Sequence, residues 1–187
     1  MGSFYINHTV CGPDIPAVIQ QLRGEEAYVS HTRNGCLVVF DKTSEIEGPP
    51  AIQRLGAKLS TLKGSRVLSV MIADDDVMMY WLFADGKVAD TYNSFPSYDE
   101  AADPPSPPSG GDSSKLCSAF TCKSVEEVER ILRTPALGEY VFEFERHKDL
   151  ATQLALPLEA VALGFNYIQA GDIPEGFDAT DFTLVQK

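Results

Sequence analysis

The stretch from Arg66 to Phe95 constrains the fold more than any other part of the chain. It reads RVLSVMIADDDVMMYWLFADGKVADTYNSF, with two apolar, β-favouring runs around a short acidic turn and a third run after Asp85-Gly86. Asp-Gly between such runs marks a tight hairpin, because a type I′ turn requires φ > 0 at both central residues. Three consecutive strands follow from this segment. Asn34-Gly35 carries the same signal between residues 27–33 and CLVVFD at 36–41. The unbroken apolar run CLVVF predicts a strand covered on both faces.

Helices are predicted between these strands. Residues 3–10 alternate as a strand, Gly12-Pro13 breaks it, and Asp14 caps a helix running to about Leu22, with Ile15, Val18, Ile19 and Leu22 on one stripe. Residues 42–50 read as a loop. A helix over 51–62 places Ile52, Leu55, Leu59 and Leu62 on one side, with Gly56 on or near that face. Strand, helix, two strands, helix, strand is the split βαβ order of ferredoxin-like domains. The expected fold is therefore α+β: an antiparallel or mixed sheet in βαββαβ order over residues 1–96, extended by a hairpin, with both helices on one face.

Composition changes sharply at 97–114, SYDEAADPPSPPSGGDSS, which reads as a Pro/Ser/Gly-rich loop or linker. Residues 115–187 read as mainly helical and docked on the sheet as one globular unit. Asp112 or Ser113 caps a short helix, and Ser124-Val-Glu-Glu127 has the spacing of a capping box. Residues 140–144 fit a strand or a helix start equally. Residues 158–169 read as one helix stopped by Gly171, and the last stretch as loop with room for a terminal strand.

The formal charge of −12 is spread along the chain. It opposes phosphate-backbone binding, which needs clustered Lys and Arg, so no nucleic-acid partner is expected. No run of about 18 apolar residues is present, so no membrane span is expected. The first residues lack the basic and apolar regions of a secretory signal, which points to the cytoplasm. The four cysteines are scattered without Cys-x-x-Cys pairs, and buried free thiols are the expectation.

No nucleophile elbow, phosphate-binding loop or dinucleotide fingerprint occurs. Asp74, Asp75 and Asp76 offer carboxylates for a divalent cation, but without EF-hand spacing they read as a solvated turn. No cofactor is expected. Arg54, Lys58, Lys63 and Arg66 form the main basic concentration and read as an outer face. Met78, Tyr80 and Leu82 point one way and Met79, Trp81 and Phe83 the other. Such a strand is either covered on both faces or adhesive. Tyr80, Trp81, Tyr92 and Tyr98 are thus the candidate partner-binding residues, since Tyr and Trp anchor interfaces.

The segments RNGCLVVFD, IADDDVMMYWLFADGKVADTYNS, PPSGGD and ALGFNYIQAGDIPEG resemble those of a set of uncharacterised bacterial proteins. That resemblance implies a bacterial-type, cytoplasmic, single-chain protein, with no activity and no site residues. The expected function is a non-enzymatic binding protein of immunity-like or adaptor-like kind, with another protein as partner. The alternative is an enzyme whose site lies in the cleft between sheet and helical segment.

Overall fold

The structure is a computed structural model that describes residues 2–98, 106–135 and 138–186. Its centre is an antiparallel sheet of eight strands: β1 (Tyr5–Cys11), β2 (Ala27–Ser30), β3 (Cys36–Asp41), β4 (Arg66–Ala73), β5 (Val77–Ala84), β6 (Lys87–Asn93), β7 (Ser109–Gly110) and β8 (Phe182–Val185). The spatial order is β7-β6-β5-β4-β1-β3-β2-β8. The N-terminal strand is central, paired with β3 on one side and β4 on the other.

Three tight turns set the hairpins. Asn34 and Gly35 have φ of 53° and 75°, Asp85 and Gly86 of 51° and 76°, and Asp74 and Asp75 of 52° and 64°. Asp and Asn tolerate this left-handed region better than other side-chain-bearing residues, so the acidic turn performs the same task as the two glycine turns.

Period-two alternation splits the sheet into two faces. On the first, Ile6, Val10, Leu37, Val39, Val67, Met71, Trp81 and Phe83 meet Val18 of α1 (Ile15–Gln21), Leu22 at its C-cap, and Ile52, Leu55 and Leu59 of α3 (Pro49–Leu59). Both helices lie on this one face. Asp14 caps α1 by accepting from Ala17 N–H at 3.0 Å. Gly56 lets α3 approach β5 closely: a Cβ there would come within 2.3 Å of the Phe83 ring.

The second face is covered by later chain. Leu68, Val70, Ile72, Met78, Tyr80, Leu82 and Tyr92 pack against α4 (Ser113–Ala119), α5 (Val125–Arg133) and α6 (Glu143–Gln153). Val38 and Phe40 pack against Ala160, Leu163 and α7 (Phe165–Ala170). Ser124 accepts from Glu127 N–H at 3.1 Å, so the cap predicted for α5 is present.

Several elements differ from expectation. The loop expected at 42–50 contains a helix, α2 (Lys42–Glu47), because Asp41 accepts from Ser44 N–H at 2.7 Å and starts a turn there. Residues 140–144 lead into α6. The single helix expected over 158–169 is broken into a 3-10 turn at Leu158–Ala160 and α7, with Ala162 at φ 60° between them. The region after the Pro-rich stretch is not helical alone, since β8 joins β2 at the sheet edge.

Part of the Pro-rich stretch, 99–105, lies outside the described residues. Its end is built into the sheet: Ser109–Gly110 pair with β6. Gly110 has φ of 69°, and a Cβ there would meet Thr91 O at 2.2 Å, so only glycine fits against that strand.

The cysteines are paired, Cys11 with Cys36 and Cys117 with Cys122, and none is free. This corrects the free-thiol expectation. Cys11 and Cys36 are 25 residues apart in sequence but directly opposite in the β1–β3 register, with Cα atoms 4.0 Å apart. Cys117 and Cys122 meet where the chain turns back after α4.

Candidate functional site: the acidic end of the sheet

The structure separates the four aromatic residues proposed as partner anchors. Tyr80 and Tyr92 stack on each other on the second face, ring centroids 5.3 Å apart, and are 0% and 3% exposed. Tyr80 donates to Asp90 Oδ2 at 2.7 Å and Tyr92 to Leu132 O at 3.0 Å. Burial and the neighbouring Asp90 carboxylate raise the Tyr80 phenol far above its ordinary range. Trp81 points to the other face and is 9% exposed. Tyr98 stands at the surface, 36% exposed, with its ring edge-on to Phe95 and its hydroxyl donating to Asp76 Oδ2 at 3.1 Å.

That last bond leads to the β4–β5 turn, where three segments converge. Asp75 N–H donates to Ser3 O at 3.1 Å, and Glu143 N–H donates to Asp75 O at 2.8 Å. Asp76 N–H closes the turn on Ala73 O at 3.0 Å. Flanking these anchor points in the chain are exposed Phe4 (39%), after Ser3, and Val141 (68%) and Phe142 (45%), before Glu143, and Tyr98 reaches the turn through Asp76. The Phe142 ring stacks on Phe144 with centroids 5.8 Å apart. Phe142 occupies the N-cap of α6, a position that ordinarily prefers Ser, Thr, Asp or Asn. An aromatic residue at a cap was the sequence signal for this patch, and pattern reading passed over it.

Carboxylates rim the patch. Asp74 is exposed, and Asp75 and Asp76 are partly so. Beside Val141 and Phe142 lies a shallow pocket of about 320 Å³ lined by Glu139, Tyr140, Glu145, Lys148 and Asp149. Glu139 is bound by Arg130 at 2.7 Å, and Tyr140 donates to Asp149 at 3.0 Å. Among the described residues no three His, Cys, Asp or Glu side chains gather as a metal site; at the turn Asp76 Oδ2 accepts from Tyr98, and Asp75 Oδ1 is buried without a protein partner.

Two further polar clusters lie in the interior. His8 sits between Ser69 Oγ (2.6 Å) and Ser44 Oγ (3.2 Å), and the Ser44 hydroxyl donates to Asp41 Oδ2 at 2.8 Å. All four residues are at most 1% exposed. Across β1, His147 Nδ1 is 2.9 Å from the Tyr5 hydroxyl, and its Nε2 has no protein partner. Burial lowers both imidazoles to a pKa of about 3, so both are neutral at physiological pH. Nearby, Arg146 is fully buried and forks onto Glu143, Nε to Oε2 at 2.7 Å and Nη2 to Oε1 at 3.1 Å, while its guanidinium lies 4.5 Å from the Tyr140 ring centroid. Burial raises the Glu143 pKa, with the Arg146 charge opposing it. These groups are closed off from solvent by the sheet and its helical cover. Between sheet and later helices, the cleft of the enzyme reading, apolar side chains of the second face fill much of the space, and two pockets of about 200 Å³ lie at its margin, one between Leu82, Ala84 and Ala89 of the sheet and Lys115 and Ala119 of α4, the other between Cys11, Cys36, Phe120 and Leu154.

No helix among the described residues is long and apolar enough to cross a membrane. No protein-family profile, curated protein or solved structure matches the chain.

Proposed function

We propose that this chain is a non-catalytic binding protein that engages a partner protein through the β4–β5 turn end of its sheet. The observation that carries the reading is that Phe4, Tyr98, Val141 and Phe142, all at least 36% exposed, stand on segments whose hydrogen bonds converge on Asp75 and Asp76. Large apolar side chains grouped on a surface and rimmed by charge mark interaction sites more often than chance exposure does. Of the candidate anchors, Tyr98 is the exposed one and bonds to this turn; Tyr80, Trp81 and Tyr92 are packed in the covered faces of the sheet. The four strands β4-β1-β3-β2, with α1 and α3 on one face, support a ferredoxin-like centre extended by further strands. The two cysteine pairs favour work in a non-reducing compartment over the reducing cytosol.

The test is affinity capture from an extract of the source organism, with wild-type protein and the double variant Val141→Ser, Phe142→Ser as baits. A polypeptide held by the wild type and lost from the variant, with an unchanged melting curve for the bait, is the expected result. Equal retention by both baits, or no selective retention, would sink the reading.

A further inference from the structure

We infer that the occupant of this end is a cationic amphipathic segment of the partner, its apolar side chain seated against Val141 and Phe142 and its Lys or Arg groups directed at the carboxylate rim. The inference rests on the binding reading above and adds the chemistry of the ligand. Two observations carry it. The Glu143–Asp75 backbone bond ties the segment of exposed Val141 and Phe142 to the turn that carries Asp74 and Asp76 at the surface. That segment also adjoins a pocket whose lining holds Glu139, Glu145 and Asp149 against the single cation Lys148. Counting Arg130 on Glu139, carboxylates still outnumber cations at this end.

The geometry sets the mode. Glu145 lies one helical turn into α6 and accepts from Phe142 N–H at 3.3 Å, which holds the aromatic ring and the carboxylate at neighbouring points of the same surface. An apolar anchor on Phe142 therefore brings a flanking ammonium or guanidinium to the pocket mouth. A concave acidic wall focuses potential and speeds encounter with a cation. The apolar contact slows release, since affinity is tuned mostly through dissociation. A neutral apolar segment would gain the second effect without the first. A purely basic segment would gain the first without the second.

Three synthetic peptides with one common spacing separate these cases: Lys/Leu, Glu/Leu and Lys/Ser. Binding is read by backbone amide shifts and by fluorescence anisotropy, at low salt and at roughly 0.5 M salt, where exposed charges are strongly screened. The Lys/Leu peptide should shift amides of residues 3–4, 74–76 and 139–145 and weaken at high salt. Its affinity should fall about tenfold in Phe142→Ser and about tenfold in Asp74→Asn with Glu139→Gln, one decade corresponding to one discarded contact of ordinary strength. Asn keeps the left-handed backbone that position 74 requires, so that variant preserves the turn. Equal binding of Lys/Ser overturns the apolar part, and equal binding of Glu/Leu overturns the cationic part, in both cases without touching the capture result. Absence of Lys/Leu binding, or shifts elsewhere on the molecule, overturns the inference as a whole. Shifts at this end that grow with protein concentration alone identify a second copy of the chain as the occupant, and overturn it too.

Discussion

On its first face the sheet receives α1 and α3, each joined to a neighbouring strand by a short connection, and their contact with it is mainly aliphatic and aromatic, the buried His8 bonds of that face running to Ser69 and to Ser44 of α2. On its second face it receives chain that arrives after the Pro-rich stretch, and there the apolar contacts are threaded with directed polar ones: Tyr92 to Leu132 O, Tyr5 to His147, and Arg146 to Glu143 and Ile131 O. Apolar contact has no preferred direction, so a helix held by a short loop needs little else to find its place. A cover that arrives from far along the chain has more ways to dock. Hydrogen bonds to fixed carbonyls select one of them, because a misplaced buried donor or charge is left unpaired at high cost.

Arg146→Ala tests that difference most severely. It strands Glu143 and the Ile131 carbonyl in the second face and should cost about 4 kcal/mol in denaturant unfolding, as loss of one partner of a buried pair usually does. Arg146→Met with Glu143→Leu should recover most of that loss. If the single variant costs less than about 1 kcal/mol, the polar contacts do not hold the cover and the contrast fails. On the first face, Leu55→Ala should cost about 3 kcal/mol through the cavity alone, with no second-site rescue by removal of a polar partner.

A smaller effect belongs to the cover's own staple. Replacing both Cys117 and Cys122 by Ser opens a link between residues five apart in sequence and should cost about 2 kcal/mol by chain entropy. An unchanged midpoint in thermal unfolding would show that α4 is held by its packing instead.

Acid sharpens the comparison further, since each face buries one histidine. Folded pKa values of about 3 lie below the ordinary 6.5, so neutral His8 and His147 stabilise the fold fully above pH 6.5 and lose that contribution as pH falls toward 3. Between pH 6.5 and pH 5 each should take away about 2 kcal/mol. Asp41, Glu45, Glu143 and Glu159 have raised pKa values from burial and act in the opposite sense, favouring the fold at low pH. His147→Gln should flatten the acid limb of a stability–pH curve; a curve unchanged in slope would exclude His147 from it. The smallest expected effect is Arg130→Ala, below about 0.5 kcal/mol, because its pairs with Glu127 and Glu139 are exposed.

How much of this was legible in the sequence follows from range. The Asn34-Gly35 and Asp85-Gly86 hairpins and the caps at Asp14 and Ser124 were readable because each is decided within a few residues. The cysteine pairing, the place of β8 and the burial of Arg146 were not, since each depends on partners far away or on a register the chain acquires only when folded. The same limit applied to the candidate site. The alternation that sends Tyr80 and Trp81 to opposite faces was readable, but whether those faces were covered or adhesive depended on chain far away, and both are covered. Tyr98 and the three aspartates were named, but the segments that carry Phe4, Val141 and Phe142 are tied to that turn only by the backbone bonds at Asp75.

The pairing of β8 with β2 has a consequence for how the chain is made. Residues 27–30 emerge early in synthesis, while their partner at 182–185 comes more than 150 residues later, as the register Ala27 to Val185 records. Through that interval β2 is an outermost strand with open N–H and C=O groups, the kind of edge that recruits other chains. Long-range pairing of this sort also folds slowly. A fragment stopped short of Phe182 would keep that edge permanently, so its fate in a crowded cell would be decided by strand addition from neighbours rather than by the strength of its core.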